Sequence, residues 1–267
     1  MRTVRTGPTI GLIAQLALLA VLAGSVGLGV SGWLAGAAWG VVMYVMLVRG
    51  LQRAGLDRLG PADRVTLTRA ALVGGVTALV ADAFAGPVSV PTLVALAGVA
   101  LVLDVVDGWV ARRTDTVSRL GALFDMEVDA FLILALSLYA ARTVGGWVIA
   151  IGAARYVFGV AGRLLPWMHG ALPTRYWRKV VAATQGIVLA VVAAGVLPMP
   201  AAAVVLAAAL GLLTESFGRD VWWLWGNRPS TERQPLYRVE RFGRIERFGR
   251  AQRLDRVERF GRGETLA

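Results

Sequence analysis

The chain has 267 residues, of which 57% are hydrophobic, with a mean hydropathy of +0.63 and a formal charge of +11. Such a chain is too apolar for an ordinary soluble domain, and its continuous apolar runs exclude a membrane barrel, which needs short alternating strands. It has no cysteine and a single histidine, His169, which excludes disulfides, thiolate metal sites and multi-histidine sites; any metal must be held mainly by oxygen, as Mg, Mn or Ca would be.

Eight apolar runs approach or reach the roughly 20 residues that a helix needs to cross a bilayer. They are 9–30, 33–48, 66–83, 90–110, 119–142, 146–165, 180–197 and 200–217. The expected fold is therefore all-α, a polytopic transmembrane helical bundle. Arg2 and Arg5 precede the first run, and more runs follow it, so it reads as a retained signal anchor and not as a cleaved leader. The second run is the shortest.

Basic residues alternate between the loops. One set of loops holds Arg2, Arg5, Arg49, Arg53, Arg58, Arg64, Arg112, Arg113, Arg119, Arg163, Arg175, Arg178, Lys179 and the tail; the opposite set holds only Arg142. The positive-inside rule then places both termini in the cytoplasm. Lys179 is the only lysine, and arginine with abundant Ala, Gly, Val and Leu suggests a high-GC bacterial genome, hence an inner membrane. The positive charge suits a surface of anionic lipid. Nucleic acid is the weaker reading, because about half of the excess charge lies in one tail.

The stretch DVVDGWVARRTDTVSRLGALFDMEVD, positions 104–129, carries six acidic residues between apolar flanks. On a helix, Asp104, Asp107, Gly108, Ala111 and Arg112 fall within an arc of about 140°. Gly121, Asp125 and Asp129, spaced i, i+4, i+8, share a second face. A short basic turn joins the two segments, so they are expected to be neighbours with four converging aspartates. Four carboxylates close together need cations. Two divalent ions would supply them and would bind a diphosphate as well. Gly108, Ala111 and Gly121 allow close approach, and Arg112 can fork onto phosphate oxygens. The residues thus point to a metal-dependent site for a phosphorylated ligand at the cytoplasmic membrane surface.

The pattern Asp104-x2-Asp107-Gly108-x2-Ala111-Arg112-x8-Gly121-x3-Asp125-x3-Asp129 resembles the signature of the CDP-alcohol phosphotransferases at all eight fixed positions. The resemblance covers a core of six spans, about 61–217, leaving two extra N-terminal spans and a basic linker in 1–60 and a tail in 218–267. Upstream, Asp63-x2-Thr66-x2-Arg69 resembles the motif that opens the family's first core span, where Asn usually stands first. Downstream, Lys179 and Gln185 resemble a Lys-x-Lys-Thr-x2-Gln stretch of some members, with Val181 and Ala182 in place of the second Lys and the Thr.

The resemblance implies an enzyme that moves a substituted phosphoryl group from a CDP-linked donor, usually CDP-diacylglycerol, to an alcohol and releases CMP. It implies Mg2+ or Mn2+, two ions, held by Asp104, Asp107 and Asp125, with Asp129 as general base and shared ligand. Asp63, Thr66, Gly108, Ala111 and Arg112 would serve the CDP donor, and Gly121 would allow close helix packing there. Homodimerisation is a further expectation from the family. Two departures bear on the acceptor: Met126 stands where many members have Pro, and Ala130 where many have Lys or Arg.

Arg155 lies inside a span, where an arginine either faces a cavity or pairs with an acid such as Glu215. In this family a basic residue in that region can bind the acceptor's phosphate, which favours inositol phosphate or glycerol phosphate; Arg175, Arg178 and Lys179 would join it. Otherwise these three are ordinary cytoplasmic loop charges. His169 reads as a surface residue in a loop, Asp115 and Glu127 as solvated or paired, and Trp222, Trp223 and Trp225 as an interfacial belt.

Residues 238–262 read RVE RFG RIE RFG RAQ RLD RVE RFG R. A strict period of three winds around a helix and gives no fixed apolar face, and its glycines weaken a helix further. The expectation is a disordered tail near anionic lipid, with a partner- or RNA-binding tail as the alternative. For the whole chain the competing functions are a cation-coupled transporter, since intramembrane carboxylates also mark ion pathways, and an inactive family member acting as a scaffold. No internal repeat supports the transporter, and the intact aspartate set speaks against the scaffold.

Overall fold

A computed structural model describes residues 6–55, 61–114, 118–170 and 176–228. Among these residues the chain is helical throughout, without strands: α1 Thr6–Val26, α2 Val30–Ala54, α3 Pro61–Ala83, α4 Val90–Thr114, α5 Arg119–Val144, α6 Ile149–Leu164, α7 Tyr176–Ala193 and α8 Met199–Gly226. Each predicted run has its helix, and five helices are long and apolar enough to span a membrane. The chain has the architecture of a polytopic helical membrane protein. The triplet-repeat tail lies outside the described residues.

Most helices outrun their apolar stretches, because a backbone helix needs no apolar side chains to propagate. The second run, expected at 33–48, is a helix of 25 residues that carries Arg49 and Arg53 on its last turns. Gly55 closes it in the left-handed conformation (φ 63°), its N–H bonding back to Gln52 and Leu51 carbonyls. α8 continues nine residues beyond 217, to Gly226, and so carries Trp222, Trp223 and Trp225. Trp222 and Trp225 are exposed, and Trp225 meets the edge of Trp167. His169 ends a short 3-10 turn, Pro166–His169, instead of lying in an open loop.

α3 is the hub. It touches α1, α2, α4 and α5, and Val73, Val76, Ala78 and Leu79 on it are buried. The pairing of α2 with α3 is specific as well as apolar. Asp82, near the end of α3, accepts from the backbone N–H groups of Gly29 (2.5 Å) and Gly32 (2.6 Å) and from Ser31 Oγ (2.6 Å). A carboxylate of α3 thereby caps the N-terminus of α2, where the helix dipole favours negative charge. A Cβ on Gly32 would come within 2.7 Å of that carboxylate, so the cap requires glycine there. Nearer the other end, Trp39 of α2 stacks on Phe131 of α5, with centroids 4.0 Å apart, and donates Nε1–H to the Ala70 carbonyl of α3 at 2.8 Å.

α7 packs on α4, α5 and α8, and Gln185 ties it to α8 by donating to the Ala209 carbonyl at 2.9 Å. Most of α6 and α8 is left facing outward.

Candidate active site

The site is built at one end of the bundle from the start of α3, the end of α4 and the start of α5. α3 packs against both α4 and α5 and so brings their polar ends to one place. Ser118 caps α5 in an extended conformation, its Oγ accepting from the Gly121 N–H at 2.8 Å. Asp63 sits in the first turn of α3, where a carboxylate complements the helix dipole, and it is buried. It lies against Gly121: a Cβ there would run into the Asp63 carboxylate and come within 3.0 Å of Ser118 Oγ. Thr66, one turn on, is also buried.

The three of the four aspartates whose side chains are described converge. Asp104 of α4 and Asp125 and Asp129 of α5 each present a carboxylate oxygen, and these atoms lie within 4.8 Å of one another. Their side chains keep 38%, 33% and 35% of their surface open, so the cluster faces outward on one side. Behind it lies Arg69 of α3, with 1% of its side chain exposed. Its Nη1 bonds Asp125, and its Nη2 bonds Asp129 and reaches Asp104 at 2.9 Å. Its Nε donates to the Ala100 carbonyl of α4 at 3.2 Å. An all-oxygen set of this spacing and partial exposure fits a hard divalent cation.

Arg69 is the residue that sequence reasoning leaves outside the site. The signal was present: Asp63, Thr66 and Arg69 share a face at i, i+3, i+6, and an arginine within an apolar span needs a carboxylate partner. The other expected residues are placed less completely. Gly108 lies half-buried on α4. Asp107, Ala111 and Arg112 also lie on α4, with side chains outside the described set.

The chain matches the family model of the CDP-alcohol phosphatidyltransferases over residues 60–214, more than half its length. The chain belongs to this family. No match was found among curated proteins or among solved structures. As a CDP-alcohol phosphatidyltransferase it is a transferase of substituted phosphate groups in phospholipid synthesis, working between a CDP-alcohol donor and an alcohol acceptor. The family depends on divalent metal, and the aspartate cluster is where this chain offers ligands for it.

Of the basic residues expected to hold the acceptor, Arg155, Arg178 and Lys179 are among the described residues. Arg155 is exposed on α6 and makes no ion pair with a described residue. The alternative pairing of Arg155 with Glu215 does not form: Glu215 pairs with Arg219 one turn along α8 and accepts from Trp177 Nε1 at 3.0 Å. A partner on the same helix is always within reach, whereas a partner on α6 is not. Arg178 pairs with the buried Asp220 of α8 at 3.3 Å, Lys179 is exposed, and Arg175 and Asp115 lie outside the described residues. Glu127 is paired, accepting from the Tyr156 hydroxyl at 3.1 Å. Of the two departures from the family's pattern, Met126 is exposed and Ala130 is 4% exposed, so a long basic side chain at 130 would need a different packing of α5.

Proposed function

We propose that this phosphatidyltransferase moves the phosphatidyl group of CDP-diacylglycerol onto the hydroxyl of a polyol phosphate, such as glycerol phosphate or inositol phosphate, and releases CMP at the cytoplasmic face of a bacterial inner membrane. The observation that carries this reading is the convergence of Asp104, Asp125 and Asp129 at one end of α3–α5. That end carries Arg49, Arg53, Arg64 and Arg113, while the opposite connections are almost free of basic residues, which supports the cytoplasmic orientation.

In this reading Asp104, Asp107, Asp125 and Asp129 hold two Mg2+ or Mn2+ ions, which when bound neutralise the donor's diphosphate. Gly108, Ala111 and Arg112 border the cytidine diphosphate, with Asp63 and Thr66 at its side and Gly121 keeping α5 close to α3. Asp129 takes the acceptor's hydroxyl proton. The alkoxide oxygen then attacks the phosphorus that carries the diacylglycerol, the bond from that phosphorus to the bridging oxygen breaks, and CMP leaves with the bridging oxygen. Arg155, exposed on α6 without an acidic partner among the described residues, supports an acceptor that carries its own phosphate.

The test is CMP release by the full chain in detergent, with CDP-diacylglycerol, Mg2+ or Mn2+, and glycerol phosphate, inositol phosphate, inositol or serine as acceptor. Acceptor-dependent release is expected with a phosphorylated polyol. Asp129→Asn should lower it about 10²- to 10⁴-fold, the range for loss of a general base. Release with inositol or serine alone would overturn the acceptor assignment, and no release with any of them would overturn the activity.

A further inference from the structure

We propose that Arg69 is a resident counter-cation of the aspartate site: in the metal-free protein its guanidinium holds Asp104, Asp125 and Asp129 together, and it competes with divalent cations for them. The inference rests on the reading of these aspartates as the metal site.

A guanidinium does not lose its proton in a protein, so a buried one has to be paired. Arg69, at 1% exposure, is paired with all three carboxylates of the cluster. Those carboxylates have the opposite problem. With oxygens within 4.8 Å of one another they repel, and burial on the protein side prevents water from screening them fully. One central guanidinium relieves both. The three described carboxylates outnumber the one guanidinium, so the cluster stays net negative and still attracts divalent cations.

The arrangement is also directional. Arg69 approaches from the protein interior and the carboxylates open outward, so a cation arriving from the open side meets ligands already gathered by a charge behind them. The bond from Nε to the Ala100 carbonyl anchors Arg69 independently of the acids, one helical turn before Asp104. The positive charge therefore stays at the site whatever the carboxylates hold. It lowers the affinity for divalent ions below what three bare carboxylates would give. In return the site keeps its shape without them.

The test uses the full chain, purified in detergent with Mn2+ and then stripped with a chelator, as wild type, Arg69→Gln and Arg69→Lys. Two quantities are read: Mn2+ affinity, from the electron paramagnetic resonance of the free ion, and the melting temperature with and without Mn2+. Wild type is expected to bind Mn2+ yet to melt almost as high without it. Arg69→Gln should fold with Mn2+, bind it about tenfold more tightly, and lose most of its thermal stability on chelation. Arg69→Lys keeps the charge and should stay near wild type in affinity, even though one ammonium cannot bridge three carboxylates as a guanidinium does.

Arg69→Gln that does not fold even with Mn2+, or that binds Mn2+ no more tightly than wild type, would reduce Arg69 to a packing residue and overturn the proposal. Wild type that binds Mn2+ while Arg69→Gln shows no new metal dependence of melting overturns this inference alone. Wild type that binds no Mn2+ removes the metal site itself, and the inference with it.

Discussion

The segments Asp63–Ala83 and Gly146–Leu164 are similarly apolar, yet most of the first is enclosed by other helices and most of the second faces outward. Their charges are handled differently as a result. In the enclosed half a single arginine serves three aspartates from three turns of two other helices. Around the outward segment polar groups pair one to one: Arg219 with Glu215 on the same helix, Arg178 with Asp220 and Tyr156 with Glu127 across helices. Hydropathy decides that a segment enters the membrane. It does not decide whether that segment becomes a wall of the site or a face toward lipid. That depends on which helices bring polar groups that need it.

Substitutions can break this contrast or sharpen it. The largest effect on folding is expected from Trp39→Ala, which removes both the stack on Phe131 and the hydrogen bond to the Ala70 carbonyl, and so loosens α2 from the two helices that carry the site. A loss of about 3–5 kcal/mol is typical for truncating a buried aromatic residue. Equilibrium unfolding in mixed micelles would measure it, and a loss below 1 kcal/mol would mean that the enclosed half does not depend on α2. Gly121→Ala comes next. The added methyl must displace the Asp63 carboxylate or push α5 from α3, at about 1–3 kcal/mol, and CMP release should fall more than stability does. Equal falls would mean that Gly121 serves packing alone. Arg219→Ala should do least. It breaks an exposed i, i+4 pair whose side chains keep 62% and 38% of their surface, worth about 0.3–0.5 kcal/mol, and the melting temperature should hardly move. A large drop there would show that the outward half is covered in the membrane.

Much of this was legible in the sequence, for definite reasons. Each apolar run announced its helix because the bilayer sets the length. The two aspartate-bearing helix faces were legible from their spacing, but α4 and α5 meet through α3, which packs on both, and not as a directly packed pair among the described residues. What was not legible depended on groups distant in sequence. The apolar run starts at 33 whereas α2 starts at Val30, because its cap, Asp82, is 50 to 53 residues away. Arg69 belongs to the motif on α3, but nothing in the spacing of the aspartates on α4 and α5 says which third helix answers their charge. Arg155 and Glu215 both lie in apolar spans, which makes them look like partners, but Glu215 pairs with the nearer Arg219.

The cap on α2 fixes an order of events while the chain is being made. Gly29, Ser31 and Gly32 leave the ribosome long before Asp82 does. Until the end of α3 has been synthesised and threaded, the first turn of α2 lacks the Asp82 carboxylate that closes it. The start of α2 is thus finished by the helix that follows it, and a nascent chain halted before Asp82 lacks the carboxylate that caps this turn.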